Sequence, residues 1–274
     1  MLLQQKENTM ALQYHVQLND GDVAPYVLLP GDPGRVPVVA SFWDEAHEVM
    51  NNREYCTWTG VYKGVPISCM STGMGCPSVA IGMEELARLG VHTFIRIGTC
   101  GTFQDYVNNG DICVFDSAVR LDGTSASYAP IEYPAVADHD VVTACLEACK
   151  TLELPYHLGI TRSADTFYAR HPRPGSSFNN YWISEWRHHF EDLKAMNVVA
   201  AEMEASVIFV LAKLWGLRAG GIAVCLDNVL KVSGESGQFD PQEGLGHSDK
   251  WIADMTHAGC EAVRLLYEMD QKKK

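Results

Sequence analysis

The chain has 274 residues, 47% hydrophobic and 20% charged; that balance excludes wholesale disorder and provides enough chain for a full core. Its 34 acidic and 21 basic side chains give a formal net charge of -13, which argues against nucleic acid or an anionic membrane as partner, since both need a basic face. A small anion held by a few local arginines is compatible with that charge, so the arginines are the residues to follow.

Residues 1–14 lack a basic start followed by an apolar core and read as an N-terminal extension without a secretory signal. Residues 15–274 read as a single domain. An apolar strand over 26–30 leads into a helix over 33–42, and strands over 55–62 and 65–71 flank Lys63-Gly64, a hairpin turn. A helix over 77–89 follows, then strands over 93–98 and 111–115, a helix over 140–152 and a strand over 156–163. An apolar strand over 198–201 precedes an amphipathic helix over 202–215, and a strand over 219–226 comes next. In the last helix, 248–267, Trp251, Met255, Ala258, Ala262 and Leu265 recur at helical spacing. This alternation predicts an α/β fold around a mainly parallel, buried sheet. Long loops are expected over 169–180 and 233–246. The nine cysteines sit mostly in apolar runs, as at Cys113 and Cys225, with no C-x-x-C pair. Neither zinc nor a disulfide framework is expected, and a reduced cytoplasmic protein is. No apolar run approaches the length of a membrane span.

Chemistry gathers where strands end. Pro30-Gly31-Asp32-Pro33-Gly34-Arg35 offers close backbone approach, a helix start that favours anions, and a guanidinium fork suited to phosphate. A plain strand–helix turn with a surface arginine would read the same way. Gly73-Met74-Gly75-Cys76-Pro77-Ser78 nearly matches the dinucleotide fingerprint but lacks its third glycine, and the next strand ends in Arg96 instead of an acid. Close packing of backbone is the stronger reading there. Arg96, inside the apolar run before Gly98-Thr99, needs a bound anion or an internal carboxylate. Glu202-Met203-Glu204 suits either helix capping or a carboxylate gripping a vicinal diol, with Met203 as an adaptable wall. Asp165-Thr166-Phe167-Tyr168 offers an aromatic face for a planar heterocycle, or simply core aromatics. Asp227-Asn228 ends a buried strand as a site pair or a turn.

In this order the motifs closely resemble the nucleoside phosphorylase-I family, most of all its uridine branch. The resemblance runs from His15 to Tyr267. It rests on Gly31-Asp32-Pro33-Gly34-Arg35, Asn52-Arg53-Glu54, Arg96-Ile97-Gly98-Thr99 and Glu202-Met203-Glu204, and on Asp165-Thr166-Phe167-Tyr168 with the segments 119–125 and 133–138. It implies a three-layer α/β/α domain with a central mixed, mainly parallel sheet. It also implies phosphorolysis of a nucleoside, with inorganic phosphate as co-substrate and no organic cofactor. Gly31, Arg35, Arg96 and Thr99 would hold phosphate, with Arg53 supplied by a neighbouring subunit. Glu204 would grip the ribose hydroxyls beside Glu202 and Met203, and His15 would cap the 5′-hydroxyl across the interface. Phe167, His171 and Arg173 would contact the base. Catalysis would fall to Arg96, Glu204, Arg173 and Asp227. A potassium ion at Glu54, Met74 and Ser78 and a homo-oligomer, a dimer or a trimer of dimers, belong to the same expectation.

Two departures bear on the base. His171 stands where the uridine branch keeps a glutamine, and the late strand lacks that branch's arginine. Asp227 falls in register with an aspartate that purine members use at the base N7. The expected function is therefore uridine phosphorylase-like. A purine nucleoside phosphorylase and a non-catalytic nucleoside-binding protein are the alternatives.

Overall fold

The computed structural model describes residues 12–171, 176–231 and 248–273. One sheet of ten strands is built from β1 (Tyr26–Leu29), β2 (Glu45–Asn52), β3 (Tyr55–Tyr62), β4 (Val65–Met70), β5 (Thr93–Thr102), β6 (Ile112–Leu121), β7 (Ala135–Val136), β8 (Tyr156–Ala164), β9 (Val198–Glu202) and β10 (Arg218–Asn228). Among the described residues seven α-helices accompany it: α1 (Arg35–Ala40), α2 (Cys76–Arg88), α3 (Gly123–Tyr128), α4 (His139–Thr151), α5 (His189–Ala195), α6 (Ala205–Leu214) and α7 (Ser248–Lys273). The cores on the two sheet faces are distinct. One is filled from α2 and α6, the other from α1, α4 and α7, so the architecture is three-layer α/β/α.

The central strands follow from their composition. All four residues of β1 are buried between β4 and β5, and β1 runs parallel to both. Strands β6, β8 and β9 form a second parallel run, and antiparallel pairings join the runs and build the β2–β3–β4 edge, so the sheet is mixed. α7 behaves as its spacing predicts, with Met255, Ala258 and Ala262 fully buried. α6 does not. Every residue from Ala205 to Ala212 is buried, so it is a core helix, apolar on all sides, and not the amphipathic one expected. It also starts later: Glu202 ends β9 and Glu204 is the N-cap of α6. The edge strand β2 has no apolar alternation and is mostly exposed; its pairing with β3 creates it.

The feature that positions the site is the long strand β5. The run expected over 93–98 continues to Thr102, and β10 pairs with it along one edge from Thr93 to Thr102. On the other edge β1 pairs only as far as Arg96, and β9 arrives antiparallel at Gly101 and Thr102. Between them, residues 97–100 have no strand neighbour on that edge. The pairings β10–β6–β8–β9–β5–β10 close into a ring, and the break on β5 opens at its rim, at the carboxyl end of β1. Ligands of open α/β sheets bind at such a break.

Candidate active site

A cavity of about 570 Å³ occupies this break. At one end the β1–α1 turn contributes Gly31 and Arg35, and β5 contributes Arg96 and Thr99. Asp32 organises the turn: its Oδ1 accepts from the Gly34 N–H at 2.9 Å, and its carbonyl accepts from the Arg35 N–H at 3.1 Å. Gly31 lies so near Gly73 that a Cβ on Gly31 would sit 3.0 Å from the Gly73 carbonyl oxygen, and Gly73 itself has φ +70°. The segment from Gly73 to Ser78 is thus a close backbone crossing that only glycine allows.

Arg96 is 6% exposed and satisfies the internal-carboxylate reading without leaving the cavity. Its Nη2 donates to Glu204 Oε2, and its Nε lies 3.6 Å from Glu202 Oε2. Nη1 donates to the Ile97 carbonyl at 3.1 Å. The guanidinium lies over Gly98, where a Cβ would come within 2.9 Å of its Cζ. Burial, and then the charge of Arg96, hold the Arg35 guanidinium below the usual arginine range. Two cations share one low-dielectric pocket, and an anion between them would relieve both.

The two acids divide their labour. Glu202 caps α6: its Oε2 accepts from the N–H groups of Glu204 at 2.7 Å and Ala205 at 2.9 Å, and its Oε1 accepts from Ser163 Oγ. Burial and the adjacent Glu204 carboxylate push the Glu202 carboxyl up to about 7. Glu204 instead faces the cavity, accepting from Arg96 and, at 2.6 Å, from the Gly75 N–H. Met203 lies between them in the wall. Behind this wall a buried relay fixes the acids. The Ser206 hydroxyl donates to Asp122 Oδ2 at 2.6 Å, and Asp122 caps α3 by accepting from the Ser125 N–H. Arg120 donates to the Ala129 carbonyl at 2.8 Å and the Pro130 carbonyl at 2.6 Å, holding the following loop. The 119–125 segment therefore supports the site from behind.

The other end is aromatic. Phe167 lines it while 54% exposed, edge-on to Tyr168. His171 is buried, with its ring 5.5 Å from Phe190 of α5. Leu226 and Asp227 both reach the cavity, although alternation should send neighbours to opposite faces. The register of β10 against β5 shifts between Cys225 and Asp227, and this bulge re-aims the pair.

Many of the residues singled out in the sequence thus meet in one chamber, among them Gly31, Arg35, Arg96, Thr99, Glu202, Met203, Glu204, Phe167, His171 and Asp227. Arg173 and the 233–246 loop lie outside the described residues. Arg53, His15, Glu54 and Ser78 do not line the chamber. Arg53 sits at φ +56° in the β2–β3 turn, and His15 Nδ1 pairs with Glu85 Oε1 at 2.7 Å. Met74 does line it, 85% exposed. Arg162 and Phe190 were not foreseen. Arg162 carried the same signal as Arg96, an arginine inside an expected strand; Phe190 had none, because α5 is a short helix of mixed polarity. No helix among the described residues is long and apolar enough to cross a membrane.

Comparison with known proteins agrees with this geometry. A protein of Thermococcus kodakarensis named uridine phosphorylase is 46% identical over 262 residues, covering 96% of this chain and 89% of that protein. One of Treponema pallidum with the same name is 36% identical over 264 residues, covering 95% and 96%. A protein of Halorubrum lacusprofundi named guanosine phosphorylase is 38% identical over 241 residues, covering 88% and 93%. The family model described as Phosphorylase superfamily matches residues 25–264, and the chain belongs to that superfamily.

Proposed function

We propose that the chain catalyses the reversible phosphorolysis of uridine, giving uracil and ribose 1-phosphate. The observation that carries this reading is the convergence of Arg35 and Arg96 at the open edge of β5, with the Glu204 carboxylate beside them. Most of the relatives just described are named for uridine, which supports that base over a purine. Phosphate sits against Gly31, Arg35, Arg96 and Thr99. Glu204 turns its oxygens to the ribose diol, and Phe167 faces the base. As the glycosidic bond stretches, positive charge grows on the sugar and negative charge on the base. The held phosphate stabilises the first charge and then attacks C1′, so the rate gain comes from positioning and preorganised electrostatics.

Arg53 and His15, which stay outside their own chamber, reach a neighbour's site in our proposed homo-oligomer, a dimer or a trimer of dimers. Glu54, through its Cβ and Cγ, and Ser78, through its Oγ, flank Gly73 at 3.2 Å and 3.4 Å from where its Cβ would lie, and each side chain carries oxygen. These oxygen donors suit a hard monovalent cation. We place a potassium ion there, with Met74 adjacent, where it would offset the Glu54 charge. All nine cysteines are buried thiols, which suits a reducing cytoplasm.

Asp227 in the chamber favours the purine reading as the second choice. A panel of uridine, thymidine, inosine and guanosine with phosphate decides between them. Uracil release should dominate, and Asp227→Asn should lower it far less than it lowers any turnover of inosine or guanosine, because the purine reading is the one that gives this carboxylate a role at the base N7. Turnover confined to inosine and guanosine, abolished by that substitution, would replace uridine by a purine.

A further inference from the structure

Of the three arginines that line the chamber among the described residues, Arg162 is the one that the proposed phosphate and ribose contacts leave unused. It lies on β8 in register with Ala201 of β9, is 5% exposed, and lines the chamber. Its Nε and Nη2 find no hydrogen-bond partner among the described residues. Leaving charged donors unmade in a buried position is destabilising, and a bound acceptor removes that cost. The guanidinium is held by the Phe190 ring, with Cζ 5.7 Å from the ring centroid. Its electrostatic surroundings are not those of the phosphate end. Arg35 feels Arg96, Asp32 and Glu204, whereas Arg162 feels Arg170 and Glu202. Burial and the Arg170 charge bring its guanidinium down to about 10, so it remains a cation at neutral pH.

We propose that Arg162 is a catalytic, specificity-determining residue at the base end, donating to a carbonyl oxygen of the departing base. This rests on the phosphorolysis reading. The C1′–N bond breaks with its electron pair passing to the base, and a phosphate oxygen forms the new bond to C1′. The negative charge spreads onto the base oxygens, where Arg162 receives it; the base then takes a proton from water. A guanidinium offers five donors and no acceptor. Set at the 4-position of a pyrimidine, it therefore selects the uracil O4 and disfavours cytosine, whose amino group at that position would meet it donor to donor, as the adenine amino group would. Among the described residues that line the chamber, Arg162 is the arginine at this end, beside Phe190 and away from Arg35 and Arg96.

The test compares the native enzyme with Arg162→Gln and Arg162→Lys, using uridine and 5-fluorouridine, whose base is the better leaving group. Loss of one charged donor to a developing anion should lower kcat/KM for uridine about 100-fold. The loss should be smaller for 5-fluorouridine and partly restored in Arg162→Lys, with phosphate KM nearly unchanged. Equal losses on both substrates, or a matching rise in phosphate KM, would overturn the assignment. So would unchanged kinetics, which leave phosphorolysis itself standing. Calorimetry with free uracil and cytosine gives a readout independent of turnover. The native protein should bind uracil in preference to cytosine, and Arg162→Gln should weaken uracil about tenfold or more, the scale of one charge-assisted hydrogen bond; unchanged uracil binding would sink the contact even if no nucleoside is turned over. Melting of Arg162→Gln should not fall below native, which separates lost contact from lost fold.

Discussion

Arg96→Ala is expected to lower phosphorolysis by at least about 100-fold, the scale of losing one preorganised charged donor, and to melt far below the native protein. The two effects share a cause. Arg96 is the cation facing both buried acids, donating to Glu204 and lying 3.6 Å from Glu202. Taking one partner from a buried ion pair leaves uncompensated charge and costs about 3–5 kcal/mol. For a chain of this size that is a fall of roughly 10 °C in Tm. The deficit should shrink as pH falls through the range around 7, because the Glu202 carboxyl, pushed up to about 7 by burial and the adjacent Glu204 carboxylate, then takes up a proton and no longer needs the cation. Melting across that range, native beside variant, checks this; a deficit independent of pH would mean the ion pair is not what the substitution breaks. Arg96→Lys keeps the charge but loses the planar fork, so it should recover more stability than activity.

Arg35→Ala should separate function from stability in the opposite sense. Among the described residues Arg35 makes no ion pair: the groups acting on it are Arg96, which repels it, and the more weakly acting Asp32 and Glu204. Its removal relieves a like-charge contact, so Tm should hold or rise. Phosphate KM should rise about 10–100-fold, the equivalent of one charge-assisted hydrogen bond of 1.5–3 kcal/mol. Steady-state kinetics at varied phosphate and a parallel melt give both numbers. A phosphate KM equal to native would remove Arg35 from the anion site.

These two arginines also show what the sequence could reveal. Arg35 opens α1 after the glycine-bearing turn that follows β1, and Arg96 lies in an apolar strand two residues before Gly98; those placements pointed to the carboxyl edge of a sheet. The strands with buried, β-branched runs were legible for the same reason. β2 was not, since Glu45 to Asn52 gains its conformation from β3 and not from its own pattern. Glu202 and Glu204 looked alike in sequence; only the turn between β9 and α6 makes one the cap and the other the chamber wall. The bulge at Leu226 that carries Asp227 into the chamber depends on register with β5, which no local signal encodes. Arg162 carried the signal that marks Arg96, an arginine inside an expected strand.

Acidic overall, the chain concentrates cations where an anion must bind. The central claim is that these cations hold a reacting phosphate, and the most direct measurement is the product balance of the native enzyme on uridine with and without inorganic phosphate. Uracil and ribose 1-phosphate formed in equal amounts with phosphate, and no uracil without it, is the result expected. Uracil and free ribose released at the same rate whether or not phosphate is present would contradict it.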